Sequence, residues 1–531
     1  MERSETLATC QRSGNISRRL WFCYVKKGIV SLKDPEPPST VRRTRLLVAF
    51  RKHRFLLAAF LIPLGIRSIP EILVGPYPIG WDTIAFYVPN TLDWAAGKAG
   101  LAEIVGTAPL MYMISVPAYL LSRVNPVWIF KIMGPVLYGI MIGALFRFLR
   151  IGLKWPDKQA LGGALLTSLY FVTLRVSWDM YRNMLGLTFI LLSLPLLQNG
   201  KGPRTQPVLS VLLLLAVASD QLTAAIAAGL IGARAVDLLR KRAVGELTRL
   251  ASIGIPSVAL FSFIVYMGRF ASGQGLVQTR PAIPRIEGIW SSVGFLVYAF
   301  LPLLPFAAVG IRRTASFELR SWTVFCAVAN VAALLPFYGL VVDSYRWALL
   351  LDIPICVFAA SGVASVGRFA TFLPSLTHRI LRQTITLASL SLLLLSVLYV
   401  GVPAQEAFQY YMIYPDFVPT SMLQNSVPLS DMANLRGALN WVAVHMGPDD
   451  ALITHQAIYG WAKAYLPSTD HIVNYEYSNP LDGVSFAISS RYSSTWAIWW
   501  TPGLGWHGQT YFPSGFVIVF QNGDIAVYVY H

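Results

Sequence analysis

Seven residues of this 531-residue chain join reactive chemistry to a telling position: Arg67, Asp82, Tyr87, Asp179, Arg182, Asp220 and Arg346. All but Arg67 sit at or beyond the ends of apolar stretches, where water and polar headgroups solvate a charge. A carboxylate such as Asp82 can take a proton from an attacking hydroxyl as a general base. It can equally cap a short helix that starts at Thr83. Arginine offers a planar fork of donors that matches phosphate oxygens, so Arg346 and Arg182 suit a phosphate that leaves or binds. Each also has a local alternative: Arg346 pairs with Asp343 or snorkels to the interface, and Arg182 pairs with Asp179. Arg67 falls inside an apolar stretch, which is costly unless it faces a polar cavity, and this groups it with the phosphate-binding arginines. Asp220 interrupts a strongly apolar run; it pairs with Arg182, holds a metal or an acceptor, or solvates a tight turn. With Asp179 and Tyr87 it forms a secondary or acceptor set.

The elements that must position these residues are apolar segments separated by sorted charges. The chain is 55% hydrophobic and 13% charged, with a formal net charge of +17. Spans are expected near 55 to 74, 126 to 147, 160 to 176, 184 to 199, 207 to 220, 222 to 239, 251 to 268, 289 to 310, 322 to 341, 347 to 367 and 384 to 402, eleven in all. Nearly all the Lys and Arg fall in every second gap, as with Arg147, Arg150 and Lys154, then Arg240, Lys241 and Arg242, then Arg312 and Arg313. Retention of positive charge on the cytoplasmic side then places the N-terminus inside and the carboxylate-bearing gaps outside. Residues 108–124 are apolar too, but counting them as a span would invert every later loop. They are expected to form an interfacial helix in a long first outer loop, 75–125.

Residues 1–54 form a basic cytoplasmic tail, with thirteen Lys and Arg against four Asp and Glu. Topology and anionic membrane lipid explain that excess better than a nucleic-acid partner does, and none is expected. No cleavable signal is expected, so the first span serves as an anchor. The four cysteines, Cys10, Cys23, Cys326 and Cys356, imply no disulfide framework.

Residues 403–531 change character and are long enough for a small extracytoplasmic α/β domain. Asp431 is placed to cap a helix running to about Met446, with Leu435, Leu439, Val442 and Met446 as its apolar stripe. Phe516, Ile518 and Phe520, the turn Asn522-Gly523, then Ile525, Val527 and Val529 read as a hairpin. Trp496, Trp499, Trp500 and Trp506 with His507 either form the aromatic core of this domain or stack on sugar.

The basic tail, one span, a long outer loop opening with Gly80-Trp81-Asp82, an apolar helix from Ala108-Pro109-Leu110 and ten further spans resemble the GT-C membrane glycosyltransferases. Protein mannosyltransferases and lipid A aminoarabinose transferases belong to that superfamily. Further matches are Tyr181-Arg182-Asn183 with Leu185-Gly186-Leu187, Ser219-Asp220-Gln221-Leu222-Thr223, and Asp343-Ser344-Tyr345-Arg346 ahead of Pro354. The resemblance covers roughly residues 55–402. It implies an inverting glycosyltransferase that moves a sugar from a polyprenyl-phosphate-linked donor to an acceptor on the outer side of the membrane. Asp82 would be the base, and Arg346, Arg182 and Arg67 would hold the donor phosphate. The chain departs from the family in lacking a second acidic residue after Asp82, an Asp-x-Asp motif, and a His before Leu222-Thr223. The acceptor, the sugar and a divalent metal therefore stay open. A transporter or flippase for a lipid-linked or polar substrate, and a non-catalytic membrane subunit, are the alternatives from other classes.

An odd number of spans puts the two termini on opposite sides of the cell membrane. A cysteine introduced at Ser493 should react with an impermeant maleimide on whole cells, whereas one at Ser13 should not. Labelling of both from outside overturns the topology.

Overall fold

The computed structural model describes residues 38–199, 202, 204–268, 286–332, 344–370, 427–466, 471–475, 492–501 and 515–530, with single residues and short runs between 379 and 400. Two compact units emerge, 1–54 and 55–531, and the site lies wholly in the second. The helices are α1 (Pro38–Leu73), α2 (Val88–Ala95), α3 (Leu101–Gly106), α4 (Leu110–Ser122), α5 (Pro126–Arg147), α6 (Asp157–Leu169), α7 (Phe171–Asp179), α8 (Tyr181–Asn199) and α9 (Thr205–Ser219). They continue with α10 (Gln221–Arg240), α11 (Val244–Gly268), α12 (Ile286–Phe300), α13 (Leu304–Arg313), α14 (Phe317–Ala332), α15 (Ser344–Ala370), α16 (Leu429–His445) and α17 (Gln456–Tyr465). A π-helical turn, Thr83–Tyr87, leads into α2.

Among the described residues, five helical runs are long and apolar enough to cross a membrane: His53–Leu73, Pro126–Gly152, Gln221–Arg240, Val244–Gly268 and Tyr345–Ser365. Two bent pairs raise this to seven: α6 with α7, bent by 67°, and Val293–Phe300 with Leu304–Arg313, bent by 77°. Eleven spans are thus not reached among the described residues. The segment expected at 322–341 is described only to Ala332, and that at 384–402 only in part. α4 covers the apolar stretch expected at the interface. Its 13 residues extend about 20 Å, short of the roughly 30 Å hydrocarbon layer, and it packs on α2, α5, α8 and α9.

Solvation runs in the reverse sense to that of a water-soluble protein. Large aliphatic side chains such as Ile72, Ile132 and Ile255 face outward, while Arg67, Glu71, Lys131 and Asp179 are buried. Lipid as the outer solvent makes this arrangement favourable, since the aliphatic faces meet acyl chains and the charges meet one another. The molecule is a polytopic helical membrane fold capped by a small sheet.

The C-terminal sheet has strands β1 (Ala451–His455), β2 (Ile472–Tyr475), β3 (Thr495–Trp500), β4 (Val517–Asn522) and β5 (Ile525–Tyr530) in the order β2-β1-β3-β5-β4. β1 runs parallel to β2 and β3, and β5 runs antiparallel to β3 and β4. The β4/β5 hairpin turns where Asn522-Gly523 implied, with Gly523 at φ +56°. Its alternation differs from the sequence reading. β5 lies inside the sheet and buries both faces from Ile525 to Val529, whereas β4 is the edge and carries an irregularity between Ile518 and Phe520. The expected helix starts three residues earlier, with Pro428 at its N-cap and Asp431 in the first turn, and it buries Leu435, Leu439 and Val442. Trp496 and Trp499 are core residues of the sheet, and Trp496 Nε1 donates to Asp450 Oδ2 at 2.9 Å. Trp506 and His507 lie outside the described residues, as does the side chain of Trp500.

This α/β layer sits on the 75–125 loop through α17. Lys463 Nζ meets Asp93 Oδ2 at 2.5 Å, Asn125 Nδ2 donates to the Ala464 carbonyl at 2.8 Å, and the rings of Tyr77 and Trp461 are 6.2 Å apart. Closest of all is Gly460, where an added Cβ would lie 1.5 Å from the Ile84 carbonyl oxygen. Gly460→Ala should therefore push the layer off the loop that carries Asp82 and cost about 1–3 kcal/mol, the usual range for overpacking. A lower melting temperature, with faster proteolysis between α16 and α17, is the expected result; an unchanged melt means the contact does not hold the layer.

Candidate active site

Gly80 begins the construction. It adopts φ +93°, a backbone state that favours glycine, and a Cβ there would lie 2.3 Å from Asp179 Cβ. The Gly80-Trp81-Asp82 turn thus lies directly on the end of α7. Asp82 stands at the N-cap position of the π-helical turn, but its side chain makes no capping bond. Its backbone N–H donates to Asp179 Oδ2 at 3.2 Å, and its carboxylate points to Arg346, with Nη2 3.9 Å from Oδ2. The local Asp343 alternative lies outside the described residues. Arg346 Nε also donates to the Tyr345 hydroxyl at 3.0 Å.

Asp179 is fully buried and is held by Arg175, one helical turn back on α7. Arg182 does not pair with it, contrary to the local alternative read from the sequence. Instead Arg182 Nη1 donates to the Thr107 carbonyl at 2.5 Å, its backbone N–H donates to the Tyr87 hydroxyl at 3.4 Å, and its guanidinium lies 5.7 Å from the Tyr87 ring centroid. Its Nε is buried with no hydrogen-bond partner among the described residues. A buried charged donor of that kind favours an arriving anion. Asp220 caps α10, accepting from the Thr223 N–H at 2.9 Å and from Asn183 Nδ2 at 2.7 Å. Its side-chain hydrogen-bond partner is Asn183, with the Arg182 guanidinium within electrostatic reach.

Arg67 meets partners that the sequence reading did not name. Its Nη2 pairs with Glu71 Oε1 at 2.7 Å and donates to the Trp178 carbonyl at 3.2 Å. Its Nε donates to the Ser177 carbonyl at 3.0 Å, and its Cζ lies 4.6 Å from the Trp178 ring centroid. Glu71 in turn takes Lys131 Nζ at 2.8 Å. The polar partners that make an arginine tolerable in this span are thus internal to the protein: Arg67 clamps α1 to the last turn of α7, and its Nη1 is buried with no hydrogen-bond partner among the described residues. The residues missed by sequence reasoning are these partners: Arg175, Glu71, Lys131 and Asn183. The i,i+4 spacing of Arg67 with Glu71 and of Arg175 with Asp179, each at the outer end of an apolar stretch, is the signal that was available.

Burial raises the Asp82 carboxyl above its ordinary value, and the neighbouring Asp179 carboxylate adds to this; Arg346, Arg175 and Arg182 pull it back. The Tyr87 phenol is raised as well, by burial first, and stays neutral. The result is a carboxylate with a proton affinity above normal, set among arginines. Among the described residues, no group of three or more His, Cys, Asp or Glu side chains is arranged to hold a metal ion.

No protein-family model matches the chain, and no curated protein sequence does. Solved structures do resemble it. ArnT from Cupriavidus metallidurans bound to undecaprenyl phosphate superposes with a TM-score of 0.51 at 14% identity, covering 92% of this chain and 98% of that one. The apo state of the same protein gives 0.50 at 13% identity with the same coverage. The chain shares the fold of these ArnT structures over nearly its full length.

The electrostatics of Asp82 can be read directly by the pH dependence of carbodiimide modification, which attacks the protonated carboxyl, followed by peptide mass spectrometry. The midpoint should lie above that of an ordinary aspartate. Asp179→Asn removes a neighbouring negative charge and should move it down, whereas Arg346→Gln removes a cation and should move it up. Shifts of the same sign in both variants would contradict the arrangement.

Proposed function

We propose that the protein is a glycosyltransferase that moves a sugar from a polyprenyl-phosphate-linked donor to an acceptor on the outer side of the membrane. The observation that carries this reading is the pairing of Asp82 with Arg346 beside Arg182, on an outer loop of an ArnT-type fold. The donor class rests on the likeness to an ArnT whose structure holds undecaprenyl phosphate.

In the proposed reaction Asp82 takes the proton of an acceptor hydroxyl as its oxygen attacks the anomeric carbon. The bond to the phosphate oxygen breaks, and the sugar is inverted. A raised proton affinity suits this role, because a carboxylate at its ordinary value is a weak base. Arg346, partly exposed, and Arg182, with its buried Nε, take the charge that develops on the departing polyprenyl phosphate, in surroundings where such stabilisation is stronger than in water. Asp179 orients Asp82 through its backbone N–H, and Tyr87 holds the start of α8 and the Arg182 guanidinium. Asp220 and Asn183 shape the neighbouring wall, where an acceptor can approach. The cytoplasmic placement of residues 1–54 and the extracytoplasmic placement of 403–531 belong to the same proposal.

Purified protein supplied with a panel of polyprenyl-phosphate sugars should release polyprenyl phosphate as the acceptor is glycosylated. Transport of the donor without turnover would sink the enzymatic reading. Asp82→Asn preserves size and removes basicity, so it should lower turnover on the order of 10²- to 10⁴-fold while donor binding persists. Arg346→Lys keeps the charge but loses the planar fork, with an expected loss on the order of 10²-fold. Wild-type turnover by Arg346→Lys would remove Arg346 as the phosphate ligand.

A further inference from the structure

A cavity of about 300 Å³ is lined by Pro76, Tyr77, Asn125, Trp128, Arg436 and Tyr465. It shares no lining residue with the Asp82 site. Three pieces of the chain meet there: the segment leaving α1, the start of α5, and the α16/α17 pair of the C-terminal layer. Its size is at the lower bound of small-molecule sites, about 300 Å³.

Three of the six lining residues are aromatic, and one is charged. The Arg436 guanidinium is stacked on Tyr465, with Cζ 3.8 Å from the ring centroid, and its Nη1 is buried without a hydrogen-bond partner among the described residues. Asn125, the amide side chain of the lining, is turned to its own partners: its Nδ2 donates to the Ala464 carbonyl and its Oδ1 accepts from the Val127 N–H. Residues 403–531 contain only two other Lys or Arg. Of these, Lys463 is paired with Asp93 and Arg491 lies outside the described residues. A desolvated guanidinium edge facing aromatic walls is a donor that lacks an anion.

The mouth of the cavity indicates where the anion comes from. Trp128 is 45% exposed at the third residue of α5, and Ile132, one turn further on, is 67% exposed. Ile72 and Leu73, also exposed, end α1 just before Pro76. These are outward apolar positions at the outer ends of two spans, the level at which headgroups lie and Trp and Tyr concentrate. We propose that this cavity is a subsite for the phosphodiester headgroup of an anionic membrane phospholipid. Arg436 is its cation, Tyr77, Trp128 and Tyr465 enclose the headgroup, and the acyl chains lie along Ile72, Leu73 and Ile132. A lipid held there joins the C-terminal layer to the spans beneath it. The inference is independent of the glycosyl-transfer reading.

The test is native mass spectrometry of the full-length protein released from nanodiscs of phosphatidylglycerol and phosphatidylcholine in equal parts. The wild type should retain phosphatidylglycerol in preference to phosphatidylcholine. Arg436→Gln should retain about tenfold less, the loss expected for one hydrogen bond to a charged group. Trp128→Ala, at a partly exposed position, gives a second reading that leaves the cation in place and should also weaken retention. Arg346→Gln should leave retention unchanged; a loss there instead would move the lipid to the Asp82 site and overturn the proposal. Millimolar inorganic phosphate should not displace the lipid, because the acyl contacts are missing from it, and displacement would make free phosphate the ligand. Equal retention by the wild type, Arg436→Gln and Trp128→Ala also overturns the assignment.

Discussion

One buried carboxylate ties together the half of the molecule that carries the candidate site. Asp179, the last residue of α7, accepts from Arg175 of its own helix at both oxygens, and Oδ2 also accepts from the backbone N–H of Asp82 on the 75–125 loop. Burying that charge without partners would cost several kcal/mol, so the loop and the helix satisfy each other, and neither has a reason to hold its position alone. The missing Cβ of Gly80 is the steric side of the same contact. Because the Asp82 N–H is taken by Asp179, its side chain is left to face Arg346.

A second buried network sets the ground on which that contact rests. Arg67, Glu71 and Lys131 join α1 to α5, and Arg67 reaches the Ser177 and Trp178 carbonyls that precede Asp179. Lys131 also donates to the Glu71 and Tyr77 carbonyls, at 3.1 and 2.8 Å, so it closes the end of α1. Buried ion pairs of this kind add little net stability, yet removing one partner strands a charge and costs about 3–5 kcal/mol. Their effect here is register: they select one arrangement of α1, α5 and α7, and the position of Asp179 follows from it.

Beyond the ends of these helices the 75–125 loop and the C-terminal layer pack as one layer. The loop supplies Asp82 and Tyr87, and α17 packs onto the π-helical turn between them through the bare backbone of Gly460. Asn125 belongs to both levels. It caps α5 through Oδ1, at the Asn-Pro start typical of a helix, and reaches the C-terminal layer through Nδ2. The geometry of the candidate site is therefore set by a layer more than 300 residues away in sequence.

Much of the fold was legible because periodicity and charge sorting are local properties. Apolar runs marked the long helices at α1, α5, α10, α11 and α15, Asn522-Gly523 marked the hairpin, and the outer-end positions of Asp82, Arg182, Asp220 and Arg346 marked residues that the fold brings within electrostatic reach of one another. What the sequence could not determine is which charge meets which. Arg67 met Glu71 and the end of α7, Arg182 left Asp179 to Arg175, and Asp220 took Asn183. The bends between α6 and α7 and between α12 and α13 were also hidden, since a continuous apolar run reads as a straight span whether or not it breaks. Hydrophobicity is a property of each segment alone, so the sequence determines that the helices exist and enter lipid. Pairing of buried charges depends on distances of a few ångströms between segments far apart in the chain, and only the packed tertiary structure decides them.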